Sequence, residues 1–281
     1  RINQILIDAY DVADSINYTA DDTEITLRFA SKEADIKSLI SYLVGVEMGR
    51  YSLDVEGIAF AGGEWNPMKY VTYQPDNDGI IPVYTQLGMQ DGLTARIIRL
   101  IKHIYGEDTY RENIDFIAEA LGKNTNESSE ETLNRYLNEG FYADHVKMYQ
   151  KRPIYWMFSS KMGDKRKKGY FKALVYMHRM ESDTLSKLHA DYVVPYIDKI
   201  EQQHIEAEDL SLRDDISQAA RNKARKSAEE YADQIRELKD FEQVLVQMAS
   251  QRLSIDLDDG VRVNYPKFYP LVEPIKGLDK E

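Results

Sequence analysis

About 40 residues around Ile216 to Met248 contain no proline or glycine. Their apolar positions, Ile216, Ala219, Ala220, Ala228, Tyr231, Ile235, Leu238, Leu245 and Met248, recur mainly every three or four residues, as on one helix face. At 1.5 Å per residue such a helix would reach about 60 Å, more than a compact core accommodates. Just upstream, Leu185, Leu188, Tyr192, Tyr196 and Ile200 form a second stripe. Ser182 precedes Asp183 as its N-cap, and Pro195 is placed to kink it. An antiparallel pair turning near residues 208–212 resolves the length problem. The sequence thus predicts a two-helix arm over residues 181–254, and the rest of the fold must be built around it.

Residues 1–180 read as a mixed α+β region. After Ser31 a helical stripe runs through Ile36, Leu39, Ile40, Leu43 and Val44 and stops near Gly49. Glycines and prolines then punctuate residues 50–90, the string DNDG at 76–79 reads as a turn, and short strands are expected at 58–60 and 80–84. Leu93, Ile97, Ile98, Ile101 and Ile104 give the next helix an apolar face. Thr109 with Glu112 and Ser128 with Glu131 are capping-box pairs, separated by a polar linker that begins at Gly122. A helix through Phe141, Tyr142, His145, Met148 and Tyr149 leads into a β-hairpin over residues 151–179. The strings IYWMF and YFKALVYM are rich in β-formers, and Pro153 stands at the strand start, where a missing amide is tolerated. The tail, 255–281, reads as two short strands around Asp259 and Gly260.

Charge is distributed unevenly. The 281 residues carry a net −12, yet from Lys147 to Arg179 ten Lys and Arg face one acid, Asp164. That window is locally +9, leaving −21 for everything else. An acidic chain does not bind nucleic acid over its whole surface, but a focused patch is compatible with it, because salt screens exposed charges beyond roughly 8–10 Å. Lys161, Lys165, Arg166, Lys167 and Lys168 crowd the hairpin tip, and Lys151, Arg152, Lys172 and Arg179 lie near its base. A β-ribbon with a basic tip can clamp phosphates or enter a groove; a solvated loop that protects a sheet edge has the same composition.

Other chemistry is poorly represented. Phosphate-binding glycine motifs and the nucleophile elbow are missing, and the five histidines make no ligand pattern beyond His204 near Glu208 on a charged helix face. Glu237 and Lys239 mimic part of a nuclease triad but sit among helical charge pairs and read as surface. Asn264-Tyr-Pro-Lys is not the Asn-Pro-Pro-Tyr loop that grips a flipped base. The chain has no cysteine, no apolar run near the roughly 18 residues of a membrane span and no signal-peptide pattern, so cytoplasm is the expected compartment. It begins without an initiator Met, as a piece of a longer protein would.

Four strings occur in one order: ISYLVGVEMGRYSLD at 40–54, KRPIYWMFSS at 151–160, ALVYMHR at 173–179 and LDDGVRVN at 257–264. Together they resemble the C-terminal region of the adenine-specific DNA methyltransferases of BREX phage-defence systems, the PglX family, and their type II restriction-modification relatives. The resemblance implies a parent enzyme that methylates the N6 amine of adenine with S-adenosylmethionine and acts with other defence proteins. Its cofactor and base-flipping motifs would lie upstream of Arg1, so no catalytic residue, cofactor site or metal site is expected in residues 1–281. The expectation is a mainly helical α+β region that recognises or clamps duplex DNA through the nine basic residues above. The rival is an interaction module whose arm docks a defence-system partner or the missing methyltransferase domain.

Overall fold

The computed structural model describes residues 2–12, 30–87 and 89–278. Helix α1 (Ile2–Tyr10) precedes α2 (Lys32–Glu47), whose start is set by Ser31: its Oγ accepts from the Ala34 amide. Glu33 and Asp35 occupy the first turn, where unpaired amides favour negative charge. Strand β1 (Ile80–Pro82) follows the loop-rich segment. Three helices come next, α3 (Leu93–Tyr105), α4 (Tyr110–Ala120) and α5 (Ser129–Arg135), and a π-helical turn (Tyr136–Gly140) joins α5 to α6 (Phe141–Met148). The Ser128–Glu131 capping box is present in both directions. At Thr109 it is not: the hydroxyl instead donates back to the Tyr105 carbonyl, so α4 begins without a side-chain cap.

The predicted hairpin is part of a three-stranded antiparallel sheet. Strand β3 (Lys172–Tyr176) lies between β2 (Tyr155–Ser159) and β1, pairing Trp156 with Val175 on one side and Ile80 with Val175 on the other. All five β2 residues are buried. A continuous apolar run such as YWMF fits a strand covered on both faces. Tyr155 stacks on His145 of α6, while Trp156 and Phe158 pack against Phe268 of the tail. Phe171, just before β3, meets residues of the arm, Tyr196 and Phe241. The chain is therefore mainly helical α+β, and one apolar core draws on all three predicted stretches, including Leu238, Phe241, Leu245, Tyr265 and Phe268.

The arm forms as an antiparallel pair with shifted details. Helix α7 (Thr184–Lys187) continues through a π-helical segment (Leu188–Val193) into α8 (Val194–Leu212), and α9 (Gln218–Ala249) returns. Pro195 sits in the first turn of α8 and the widened turn precedes it, as expected where a ring replaces an amide and crowds the preceding carbonyl. The reversal uses residues 213–217 rather than 208–212, because Ser217 caps α9 by accepting from the Ala220 amide. Asp183 rather than Ser182 is the residue preceding α7.

Two expected strand regions are not strands. Residues 58–60 are irregular, with the Ala59 and Phe60 amides drawn to the Arg50 carbonyl. In the tail, residues 257–259 form a 3-10 turn followed by α10 (Gly260–Asn264). The Asn264 amide holds that corner by donating to the Asp256 and Gly260 carbonyls, which takes the backbone away from ladder pairing. Sheet-like pairing of the tail occurs later, where Val272 bridges to Phe158 and the Glu273 amide donates to Met157.

Candidate nucleic-acid interface

The connection between β2 and β3 is held by a buried carboxylate. Glu237, on α9, is 7% exposed. Its Oε1 accepts from Ser160 Oγ at 2.6 Å, the Gly169 amide at 2.9 Å and the Tyr170 amide at 3.0 Å. Oε2 accepts from the Lys168 amide at 2.9 Å. Ser160 Oγ in turn accepts from the Phe171 amide, so both ends of the connection are tied to one point. A carboxylate can be buried when its lone pairs are filled in this way. The backbone helps: Gly169 has φ +76°, and a Cβ there would come within 3.2 Å of Ser159 Oγ. Glu237, read from sequence as a solvated neighbour of Lys239, is thus the organising residue of the basic connection. The available signal was its position four residues before Phe241 and three after Gln234, on the face of α9 that is buried.

The tip cations differ in their freedom. Lys165, Arg166 and Lys168 are exposed and Lys161 is half-buried. The Arg166 guanidinium, 90% exposed, bonds Asp164 at 2.8 and 3.1 Å, and that partnership holds the Asp164 carboxyl down to about 2. Lys167 reaches Asp240 of α9 at 3.1 Å. Lys168 Nζ lies 4.0 Å from Glu230 and 5.5 Å from the Tyr170 ring centre. Exposed pairs of this kind are worth little and exchange readily for other anions.

The basal cations fall into separate environments. Arg152 and Lys151 are exposed beyond the end of α6. Lys151 and Lys172 line one groove of about 500 Å³, with Tyr142, Met157, Glu273 and Lys276 among its walls. Lys172 donates to the Asn138 carbonyl, and burial lowers its pKa. Arg179 faces inward: it donates to the Met48, Asp76 and Asn77 carbonyls and lies 4.4 Å from the Trp65 ring. The structure therefore gathers the five tip residues on one fixed loop, pairs Lys151 with Lys172 elsewhere, and commits Arg179 to the 76–79 turn.

The described residues hold no cluster of three or more metal-ligating side chains, and no helix among them is long and apolar enough to cross a membrane. The three strands among the described residues are antiparallel.

No protein-family model matches the chain. It is 38% identical over 277 residues to the adenine-specific methyltransferase BrxX of Escherichia coli O9:H4 (strain HS), covering 93% of this chain and 22% of that protein. It is 34% identical over 270 residues to the adenine-specific methyltransferase PglX of Lacticaseibacillus casei (strain Zhang), covering 95% of this chain and 22% of that protein. Matched along nearly its whole length, and spanning about a fifth of the length of these curated relatives, the chain is a relative of the PglX family of BREX adenine methyltransferases.

Proposed function

We propose that this chain is the non-catalytic, C-terminal part of a BREX-type N6-adenine DNA methyltransferase, and that it recognises or clamps duplex DNA. The observation that carries this reading is the basic connection at 161–168: its backbone is fixed by Glu237 while Lys165, Arg166 and Lys168 stay exposed. Cations on a pre-ordered loop meet phosphates without a large ordering cost, and the bonds from Arg166 to Asp164 and Lys168 to Glu230 are weak enough to be replaced. Lys161 and Lys167 flank them on the same loop, Lys172 stands opposite Ser159 at the connection end of β3, and Lys151 and Arg152 precede β2. Arg179 supports the fold from inside. Methyl transfer from S-adenosylmethionine, and action with other defence proteins in the cytoplasm against phage, belong to the parent enzyme.

The test is a fluorescence-anisotropy titration of the 281-residue chain against a random-sequence duplex at several salt concentrations. Each phosphate contact contributes about −0.9 to the slope of log affinity against log salt. The variant K165A/R166A/K167A/K168A is expected to lose affinity and to flatten that slope by about two to four units. Equal binding by both proteins, or none by either at low salt, removes the connection as an autonomous DNA contact.

A second reading has its own support at the end of the arm, where Ile205, Leu210 and Leu212 are 53%, 39% and 78% exposed. Exposed apolar side chains along the last two turns of α8 suit docking to a protein, either a defence partner or the methyltransferase domain. Such docking would depend weakly on salt and need no DNA.

A further inference from the structure

Between α6 and the tail lies a groove that the basic connection does not use. Its volume, about 500 Å³, falls within the range of ordinary ligand pockets, roughly 300–1,000 Å³. Its floor is apolar: Met157 of β2 and Ile275 of the tail are buried, and Tyr142 and Val146 of α6 are half-buried. The walls are tied together. The Tyr142 hydroxyl meets that of Tyr265 at 2.8 Å, and the Glu273 amide donates to the Met157 carbonyl.

Five charged side chains line the same groove: Lys151, Lys172, Lys276, Glu139 and Glu273. All but Lys172 make no hydrogen bond or ion pair with another described residue. Lys172 is half-buried, and it donates once, to the Asn138 carbonyl at 3.1 Å. An ammonium has three N–H donors, so two are left. Burial lowers the basicity of this amine even though Glu273 and Glu139 are within electrostatic reach. Its charge is therefore under-compensated where it stands. Lys151 comes to the groove on strained backbone. Gln150 and Lys151 are successive non-glycine residues at φ +50° and +63°, a region that L-residues rarely adopt twice running. Strain of this kind collects at ligand sites.

Charge and shape together select the ligand. Three lysines against two glutamates leave the groove at +1, which one negative charge neutralises. A doubly charged phosphate would bring an excess of negative charge up against Glu139 and Glu273. The two unspent N–H donors of Lys172 match the two oxygens of one carboxylate. Behind them the apolar floor has room for a hydrocarbon body.

We propose that this groove binds a small organic acid, with its carboxylate on Lys172 and its apolar body on Tyr142, Val146, Met157 and Ile275. Lys151 and Lys276, both exposed, draw the anion in by longer-range attraction. The site does not depend on DNA contact at the basic connection, and the two are tested separately.

The experiment is competitive labelling of the 281-residue chain with trace N-hydroxysuccinimidyl acetate, read by peptide mass spectrometry, with hexanoate as the probe. Acylation needs the neutral amine, so a carboxylate that covers Lys172 and raises its basicity slows reaction there. Hexanoate is expected to protect Lys172 saturably, by about threefold or more, with a midpoint in the millimolar range or tighter. Exposed Lys165 should label at an unchanged rate. Acetate has the charge without the body, and hexan-1-ol the body without the charge; both should protect far less. Ala143→Glu, at an exposed α6 position that lines the groove, should weaken hexanoate protection by about fivefold without disturbing the core. Absence of protection by hexanoate overturns the proposal, as does equal protection by acetate or by hexan-1-ol. Undiminished protection in Ala143→Glu overturns it as well, because the acid would then be bound elsewhere.

Discussion

Two buried carboxylates do the same local job in different settings. Asp76 Oδ1 accepts from the Asp78, Gly79 and Ile80 amides at 3.0, 2.8 and 3.3 Å, fixing the turn before β1. Glu237 gathers three amides and a hydroxyl to fix the connection before β3. Around Asp76 the cations turn inward: Arg96 reaches Oδ2 at 2.9 Å, and Arg179 bonds the Asp76 carbonyl at 2.6 Å. Around Glu237 the carboxylate is filled by backbone and hydroxyl donors, so the neighbouring Lys and Arg side chains are left for solvent. A cluster of positive charge in sequence therefore divides by what the nearest buried acid already accepts. Where amides and a hydroxyl fill both carboxylate oxygens, as at Glu237, the cations remain outside; where the amides fill one oxygen, as at Asp76, a cation takes the other.

Removing the acids tests the shared half of this comparison. Glu237→Ala and Asp76→Ala each strand several buried donors, and each is expected to cost on the order of 3–5 kcal/mol in urea denaturation. A loss under about 1 kcal/mol for Glu237→Ala would mean that the connection is held by something else. The unshared half comes next. Arg179→Met, which leaves the Met48, Asp76 and Asn77 carbonyls without their donor, should cost about 2–4 kcal/mol.

A buried histidine, His145, gives a pH test of the core against β2. Burial, and then the Arg50 charge, pulls His145 down to about 3, and the same causes pull His178 to about 4. His145 Nε2 accepts from the Tyr155 amide at 3.1 Å, an arrangement available only to the neutral ring. A folded-state pKa below the unfolded value of about 6.5 gives stability that is present above pH 6.5 and is lost as pH falls toward 3. At pH 5 the His145 loss is about 2 kcal/mol. His145→Gln should flatten that acid limb; an unchanged pH dependence would place the sensitivity elsewhere.

The smallest effect on stability is expected at the outward cations. Lys165→Ala with Arg166→Ala should leave the denaturation midpoint unmoved while flattening the salt dependence of duplex binding. Were the midpoint to fall as it does for Arg179→Met, the two cation sets would be equivalent and the comparison would fail.

Sequence alone was sufficient for the elements whose local signals agree. Ser31, the Ser128–Glu131 box and the apolar stripes of α2 and α3 are local facts of spacing and capping, and each is where the sequence places it, whereas the arm forms with its turn shifted and with Ala219 exposed and Phe241 buried. The strings at 40–54, 151–160, 173–179 and 257–264 were likewise enough to name the family. The tail was misread because β-formers in VRV resemble a strand until Asn264 draws the nearby carbonyls into a tight corner. Among the nine basic residues, sequence registers density and sign, which are additive along the chain. It does not register direction, which depends on acceptors brought from elsewhere: Glu237 from 69 residues beyond Lys168, and the Asp76 carbonyl from 103 residues before Arg179. Only the tertiary structure, by burying those acceptors, decided which cations are spent inside the molecule and which face outward.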